Sequence, residues 1–305
     1  MRNLLAALGV LMAFGIHAET WRFALIGDIP YSDYERRELP AMIETISAEH
    51  LDFIVHVGDF KASNARCSDE TVHDRHALFN ASRLPFIYVP GDNEWTDCTL
   101  PDAGHYSELE RLGKLRAVFF AEPLSLGQNR IPVEQQSAAF PEHLRWRLGP
   151  VLFVSLNVPG PNNNFGVSKE PGDEYRSRNT LVIDWLKQGF AQVRREQSAG
   201  IVVVMQGNPG FKHFAAGFAD NGYRELLDVL RSETLAFPGQ VLVLHGDTHW
   251  HRIDHPLRHP ETKERIANFT RVESFGYPVM GWVKVIIDSE SPTLFRFEVR
   301  PYKTN

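Results

Sequence analysis

Four times the chain repeats one short phrase: a run of β-branched and aromatic residues that ends in Gly-Asp. Residues 21–26 lead into Gly27-Asp28, 53–57 into Gly58-Asp59, 86–90 into Gly91-Asp92, and 241–245 into Gly246-Asp247. With 22 glycines and 16 aspartates in 305 residues, chance expects about one Gly-Asp pair, and there are five. Runs of this length and composition read as buried strands. A glycine at each end lets the backbone turn sharply off the strand. The fifth pair, Gly172-Asp173, stands in a polar stretch and is set aside. A fifth apolar run, 201–205, ends in Gln206-Gly207-Asn208.

Between these runs the apolar spacing changes to three and four, which predicts helices. Leu39, Met42, Ile43 and Ile46 mark one over 35–50. A second, over 68–82, opens on the capping residue Ser68 and an acidic first turn. Two more are predicted over 180–195 and 221–235, and further strands over 151–156, 282–287 and 294–299. Strand, helix, strand is the rhythm of an α/β fold. The last third is richer in strand, so an antiparallel second half is expected. Residues 159–172 read as a long surface loop, and 252–258, with His255 and His259, as a solvated basic loop. Trp146, Trp185, Trp250 and Trp282 are expected to serve packing at the core or rim.

Residues 1–18 have the form of a secretory leader: Met-Arg-Asn, an apolar run over 4–16, and a cleavage position at Ala18. That run is short of the ~20 residues a spanning helix needs. The expected mature protein is one domain over 19–305, periplasmic or secreted, with no membrane attachment once the leader is gone. Export permits Cys67 and Cys98, the two cysteines of the chain, to form a disulfide. With a net charge of -6 there is no basic field, so no nucleic acid is expected as a structural partner.

In a sheet with crossover helices, residues just beyond the strand ends converge on one rim. Asp28, Asp59, Asp92 and Asp247 would meet there, and four carboxylates together repel one another unless a cation binds. Asn93, Glu94, Gln206, Asn208, His249 and His251 lie close by in sequence and are capable ligands or hydrogen-bond partners. His251 lies two residues beyond His249, which strand alternation would turn to the same side, so it is a candidate acid–base residue. Lys61 and Tyr31 are candidates for meeting an anionic substrate at the mouth, and Asn157, at the end of its strand, for a substrate contact. His56 and His245 are expected to orient carboxylates. The chain has no nucleophile elbow, no phosphate-binding loop and no dinucleotide fingerprint.

Taken in order, Gly27-Asp28, Gly58-Asp59, Gly91-Asp92-Asn93-Glu94 and Gly246-Asp247-Thr248-His249 resemble the motifs of calcineurin-like metallophosphoesterases. The first three aspartates are 31 and 33 residues apart, as the resemblance requires. The strings at 90–98 and 245–249 resemble a divergent, mostly bacterial branch. The resemblance implies a four-layer α-β-β-α sandwich of two mixed sheets, with a two-metal centre that hydrolyses a small-molecule phosphoester. It implies that Asp28 and His249 bind the first metal, that Asp59 bridges both, and that Asp92 and Asp247 bind the second. Gln206, with Asn208 as rival, stands nearest the histidine that ends the family's fifth strand.

The departures are chemical. Pro30 replaces a ligand histidine of the first motif, and Asn93 replaces the histidine thought to assist the leaving group. An oxygen-rich donor set raises Mn²⁺, Mg²⁺ or Ca²⁺ relative to Zn²⁺; two divalent ions are expected, Mn, Mg or Fe/Zn. Asn93 would bind the phosphoryl group rather than donate a proton, which suits good leaving groups. The alternative is a non-catalytic metal-binding protein on the same scaffold; a metal-free glycosidase is a more distant rival.

Overall fold

The computed structural model describes residues 19–166, 170–218 and 221–304. The expected leader, residues 1–18, lies outside the described residues. Two sheets carry the fold. In chain order the strands are β1 (Thr20–Ile26), β2 (Phe53–His56), β3 (Phe86–Tyr88), β4 (Glu134–Ser137), β5 (Phe140–Leu148) and β6 (Val151–Ser155). They continue with β7 (Gly200–Val204), β8 (Gln240–His245), β9 (Arg252–Asp254), β10 (Phe269–Glu273), β11 (Val279–Asp288) and β12 (Phe295–Thr304). The helices are α1 (Asp33–Ser47), α2 (Asp69–Asn80), α3 (Glu108–Phe119), α4 (Asp173–Arg195), α5 (Phe211–Ala215) and α6 (Asn221–Ala236). None of the described helices is long and apolar enough to cross a membrane.

The first sheet runs β12-β11-β1-β2-β3, and the second β4-β5-β6-β7-β8-β10-β9. Both are mixed. Strands β1, β2 and β3 are parallel, with β11 antiparallel to β1 and β12 antiparallel to β11. Strands β6, β7, β8 and β10 are parallel, and β5 and β9 flank them antiparallel. Period-2 alternation divides the second sheet. Phe153, Val202, Val204, Leu242 and Leu244 join the core that also holds Phe23, Leu25, Phe53 and Val55 of the first sheet. Leu152, Val154, Ile201, Val203, Val241 and Val243 face the other way, onto α4 and α6. Phe153 meets Phe23 and Phe53 edge-on, with centroids 5.2 and 5.3 Å away. The sheets therefore pack face to face with helices outside, the expected four-layer arrangement.

Helix ends follow local chemistry. Ser32 Oγ accepts from the Glu35 amide at the start of α1, and Ser68 Oγ from the Thr71 amide at the start of α2. Helix α4 begins seven residues before the predicted 180 because Tyr175, Arg178 and Asn179 are buried on it. Two expectations need correction. The stretch 252–258 is not wholly a loop, because Arg252–Asp254 forms the edge strand β9 against β10. The last third is antiparallel for β11 and β12, but β10 pairs parallel with β8.

Candidate active site at the shared rim of the two sheets

Parallel β1, β2 and β3 deliver Asp28, Asp59 and Asp92 to one rim, and β7, β8 and β10 deliver Gln206, Asp247 and Ser274 to meet them. The proof is in cross-sheet bonds. The Asp247 amide donates to Asp28 Oδ1 at 2.9 Å, and Ser274 Oγ donates to Asp28 Oδ2 at 3.0 Å. Gln206 Nε2 donates to Asp59 Oδ2 at 3.2 Å. The Asn93 amide donates to Asp59 Oδ1 at 3.1 Å.

The turns that make this possible are conformationally expensive. Asp28, Asp59, Asp247 and His249 have φ of 53°, 59°, 83° and 60°, in the left-handed region. Non-glycine residues there store strain, which gathers at functional sites. Two glycines are required by crowding. A Cβ at Gly91 would lie 2.1 Å from Asp59 Oδ1, and one at Gly246 would lie 2.3 Å from Asp28 Oδ2.

Tyr31 stands at the middle of the site. Its hydroxyl donates to Asp59 Oδ2 at 2.8 Å and accepts from Asn93 Nδ2 at 2.7 Å. His249 Nε2 lies 3.3 Å from the same hydroxyl and 3.9 Å from Asp28 Oδ1. The other ring nitrogen of His249 is 2.8 Å from the Tyr277 carbonyl, which can only accept. Nδ1 therefore carries the proton, and burial pushes the ring's pKa down. The neutral ring keeps a lone pair on Nε2, aimed into the site. His56 is fixed the same way. Its Nδ1 accepts from the Gly58 amide at 3.1 Å, so Nε2–H donates to the Ile29 carbonyl at 2.8 Å. Burial lowers His56 to about 4, so it stays neutral and ties the second Gly-Asp turn to the first.

The carboxylates are under electrostatic load. Burial, then Asp247 and Asp92, hold Asp28 well above the ordinary carboxylate range. Burial, then Asp92, Glu94 and Asp28, do the same to Asp59. Asp92 is raised to about 8 by burial and Asp247, and Asp247 to about 6, mainly by burial. Lys61 is buried among them; desolvation lowers its pKa while Glu94 and Asp59 oppose that.

The remaining candidates fall at different distances from this network. Asn208 gives its backbone amide to Asp247 Oδ2 at 2.8 Å, while its side chain caps the Gly210 amide. His251 bonds the Glu273 carbonyl and stacks on Phe275, outside the Tyr31 network. The structure does not bring Asn157 into the network: it is fully buried, and Nδ2 donates to Glu142. Its carbonyl accepts from Arg178, which also holds Asn163, so the 159–172 stretch is pinned at Asn163 rather than purely superficial there. Sequence reasoning missed Ser274, Tyr277 and Glu35. Glu35 Oε2 accepts from the Tyr31 amide at 2.7 Å. The available signal was Glu273-Ser274, another polar pair at the end of an apolar run.

Cys67 and Cys98 form the expected disulfide, with Cα atoms 5.7 Å apart. Both sulfurs approach the Asn93 carbonyl, at 3.6 and 3.7 Å. The bridge thus lies directly beneath the residue that contacts Asp59 and Tyr31.

A model of the calcineurin-like phosphoesterase family matches residues 22–252. The chain belongs to the calcineurin-like phosphoesterase family. Solved structures agree on its fold. A dimetal phosphatase from Danio rerio superposes with a TM-score of 0.56 at 13% identity, covering 92% of this chain and 96% of that one. A purple acid phosphatase from yellow lupin (Lupinus luteus) seeds gives 0.53 at 14% identity, covering 93% and 52%. A protein from Thermus thermophilus gives 0.50 at 12% identity, covering 92% and 99%. A search of curated proteins finds no match.

Calcineurin-like phosphoesterases of the dimetal kind imply divalent metals. Among the described residues, no group of three His, Cys, Asp or Glu side chains could hold an ion as they stand. The donor chemistry nevertheless fits one. Asp28, Asp59, Asp92 and Glu94 are buried together, and Asp92 Oδ1 and Glu94 Oε2 are buried without a hydrogen-bond partner. Crowded anionic oxygens with raised pKa values are what a divalent cation relieves.

Proposed function

We propose that this chain is an exported, metal-dependent hydrolase of small-molecule phosphoesters. The observation that carries the reading is the convergence of Asp28, Asp59, Asp92, Asp247 and His249 where the parallel strands of two facing sheets end. Asp59, tied to Tyr31, Asn93 and Gln206, would be shared by two ions, Asp28 and His249 would hold the first, and Asp92 and Asp247 would hold the second. Divalent cations, when bound, supply Lewis acidity and neutralise charge on the phosphoryl oxygens. The oxygen-rich donors suit Mn²⁺, Mg²⁺ or Ca²⁺ more than Zn²⁺.

The chain's own residues position and select. His249, neutral and oriented by the Tyr277 carbonyl, presents a lone pair. Lys61 adds one positive charge beneath the site. Asn93 is a carboxamide with no acid proton to give a leaving group, and both of its Nδ2 hydrogens are already taken by Tyr31 and the Lys61 carbonyl. A missing general acid lowers the rate by about 10²–10⁴ for leaving groups that need protonation. The substrate class is therefore esters with good leaving groups, such as diesters or aryl monoesters. The same engagement of Asn93 favours a second reading, a metal-binding protein without turnover.

Metal content of the purified protein, followed by an ester panel with Mn²⁺, Mg²⁺ and Zn²⁺, tests both. Bound metal with hydrolysis of aryl esters supports the enzyme. Bound metal with no hydrolysis supports the second reading, and absence of metal defeats both.

A further inference from the structure

A cavity of about 820 Å³ is walled by α5, β9 and the turn that follows β9. Lys212, Arg258, Lys263 and Arg265 line it. None of the four pairs with a carboxylate among the described residues, although Glu261 and Glu264 stand in the same turn. The acid on the wall, Asp254, is already held by the Arg271 fork at 2.6 and 2.6 Å. On a chain of net charge -6 this is a local inversion of sign.

The cavity connects to the site through shared residues. Lys212 also lines a smaller hollow of about 160 Å³ whose walls include Asn208 and Arg252. Asn208 donates its amide to Asp247, and Arg252 bonds the hydroxyl of Thr248, the next residue. The two arginines of the smaller hollow are neutralised, Arg252 by Glu273 at 2.7 Å and Arg271 by Asp254. Lys212, which lines both, and Arg258, Lys263 and Arg265 of the larger cavity have no carboxylate partner among the described residues. Long, exposed lysine and arginine side chains without carboxylate partners are suited to phosphate oxygens.

We infer that this cavity is a substrate subsite for a second phosphate, one carried by the ester some distance from the scissile group. The inference rests on the phosphoesterase reading and deepens it: the preferred substrate is multiply phosphorylated. A single phosphate fills the acidic rim alone, and a second reaches across Asn208 and Lys212 into the basic cavity.

Two measurements test this on the full-length protein as purified. The first is calorimetric titration with sodium tripolyphosphate. Lys263→Ser/Arg265→Ser should weaken binding about tenfold or more, and the distant exposed Lys187→Ser should not. Absence of binding to the wild type, or equal binding by the double variant, overturns the subsite. The second compares hydrolysis of two aryl diesters, a bisphosphate (thymidine 3′-phosphate 5′-(4-nitrophenyl phosphate)) and the monophosphate that lacks its 3′-phosphate (thymidine 5′-(4-nitrophenyl phosphate)). The double variant should raise KM for the bisphosphate about tenfold, with kcat unchanged and the monophosphate unaffected. An equal change for both nucleotides, or none for either, also overturns it. If the wild type hydrolyses no ester with any metal, the phosphoesterase reading fails, and the titration alone decides whether the cavity takes polyanions.

Discussion

At the rim where both sheets end, Asp28 and Asp59 are buried and each carboxylate oxygen accepts a hydrogen bond from a residue distant in sequence. In the basic cavity, Lys212, Lys263 and Arg265 are exposed and have no carboxylate partner among the described residues. One region is acidic and buried; the other is basic and exposed. The contrast separates two tasks. Holding cations at fixed positions requires over-determined side chains, because a small displacement ruins the chemistry. Attracting an anion requires only charge of the right sign within reach.

The largest expected effect lies in the acidic region. Asp59→Asn keeps the size but sets an amide NH₂ either against the Tyr31 and Gln206 donors or against the Asn93 amide, and removes the charge. Hydrolysis should fall by about 10³-fold or more, and metal content by at least one ion per chain. Unchanged metal content and activity, by plasma mass spectrometry and ester assay, would defeat the assignment of Asp59. Removing the bridge beneath the rim comes next. Cys67→Ser/Cys98→Ser opens a loop with a separation of 31 residues, which should lower stability by about 3.5 kcal/mol in the chain-entropy model. Denaturant melts with and without reductant measure it, and the reduced wild type should behave like the double variant.

Tyr31→Phe should have a smaller effect. It leaves Asn93 Nδ2 and Asp59 Oδ2 one partner short, lowering activity by about 10–100-fold while the metal stays bound. Loss of metal together with activity would instead make Tyr31 part of the metal-holding set.

The pH dependence of the chelated protein sharpens the comparison further. Asp92 and Asp247 are raised to about 8 and about 6 in the folded state. The unfolded state binds fewer protons at these groups, so stability falls as pH rises through that range. His56 and His245, lowered to about 4 and about 3, act oppositely below about 6.5. Above about pH 6.5 the histidine contribution is gone while that of the raised carboxyls persists, so stability should decline towards pH 8. Adding Mn²⁺ should flatten the decline, and a flat curve in chelator would remove the electrostatic argument for a cation. The smallest effect belongs to the basic region. Lys263→Ser should shift stability by less than about 0.5 kcal/mol, because that side chain bonds only the Pro260 carbonyl.

Some of this was legible in the residues and some was not. The Gly-Asp strand ends were visible because strand and turn chemistry are local, and all four aspartates do reach one rim. Ser68 announced α2 to within one residue. Strand β5 drew no expectation because Glu142, His143 and Arg145 interrupt its apolar pattern. They are buried on it only because Arg116, Gln136 and Trp185 receive them. Asn157 ends its strand as a site residue would, yet its partner is Glu142, fifteen residues earlier.

The sequence by itself determined where strands end and which residue types stand at those ends: a run of apolar residues stops at Gly-Asp whatever surrounds it. The tertiary structure alone decided which ends meet. Asp28 and Ser274 touch across 246 residues, and Asp59 and Gln206 across 147. Those contacts depend on the order of strands in two sheets and on their face-to-face packing. No local pattern encodes that order, because it is chosen by the burial of the whole set of apolar faces at once.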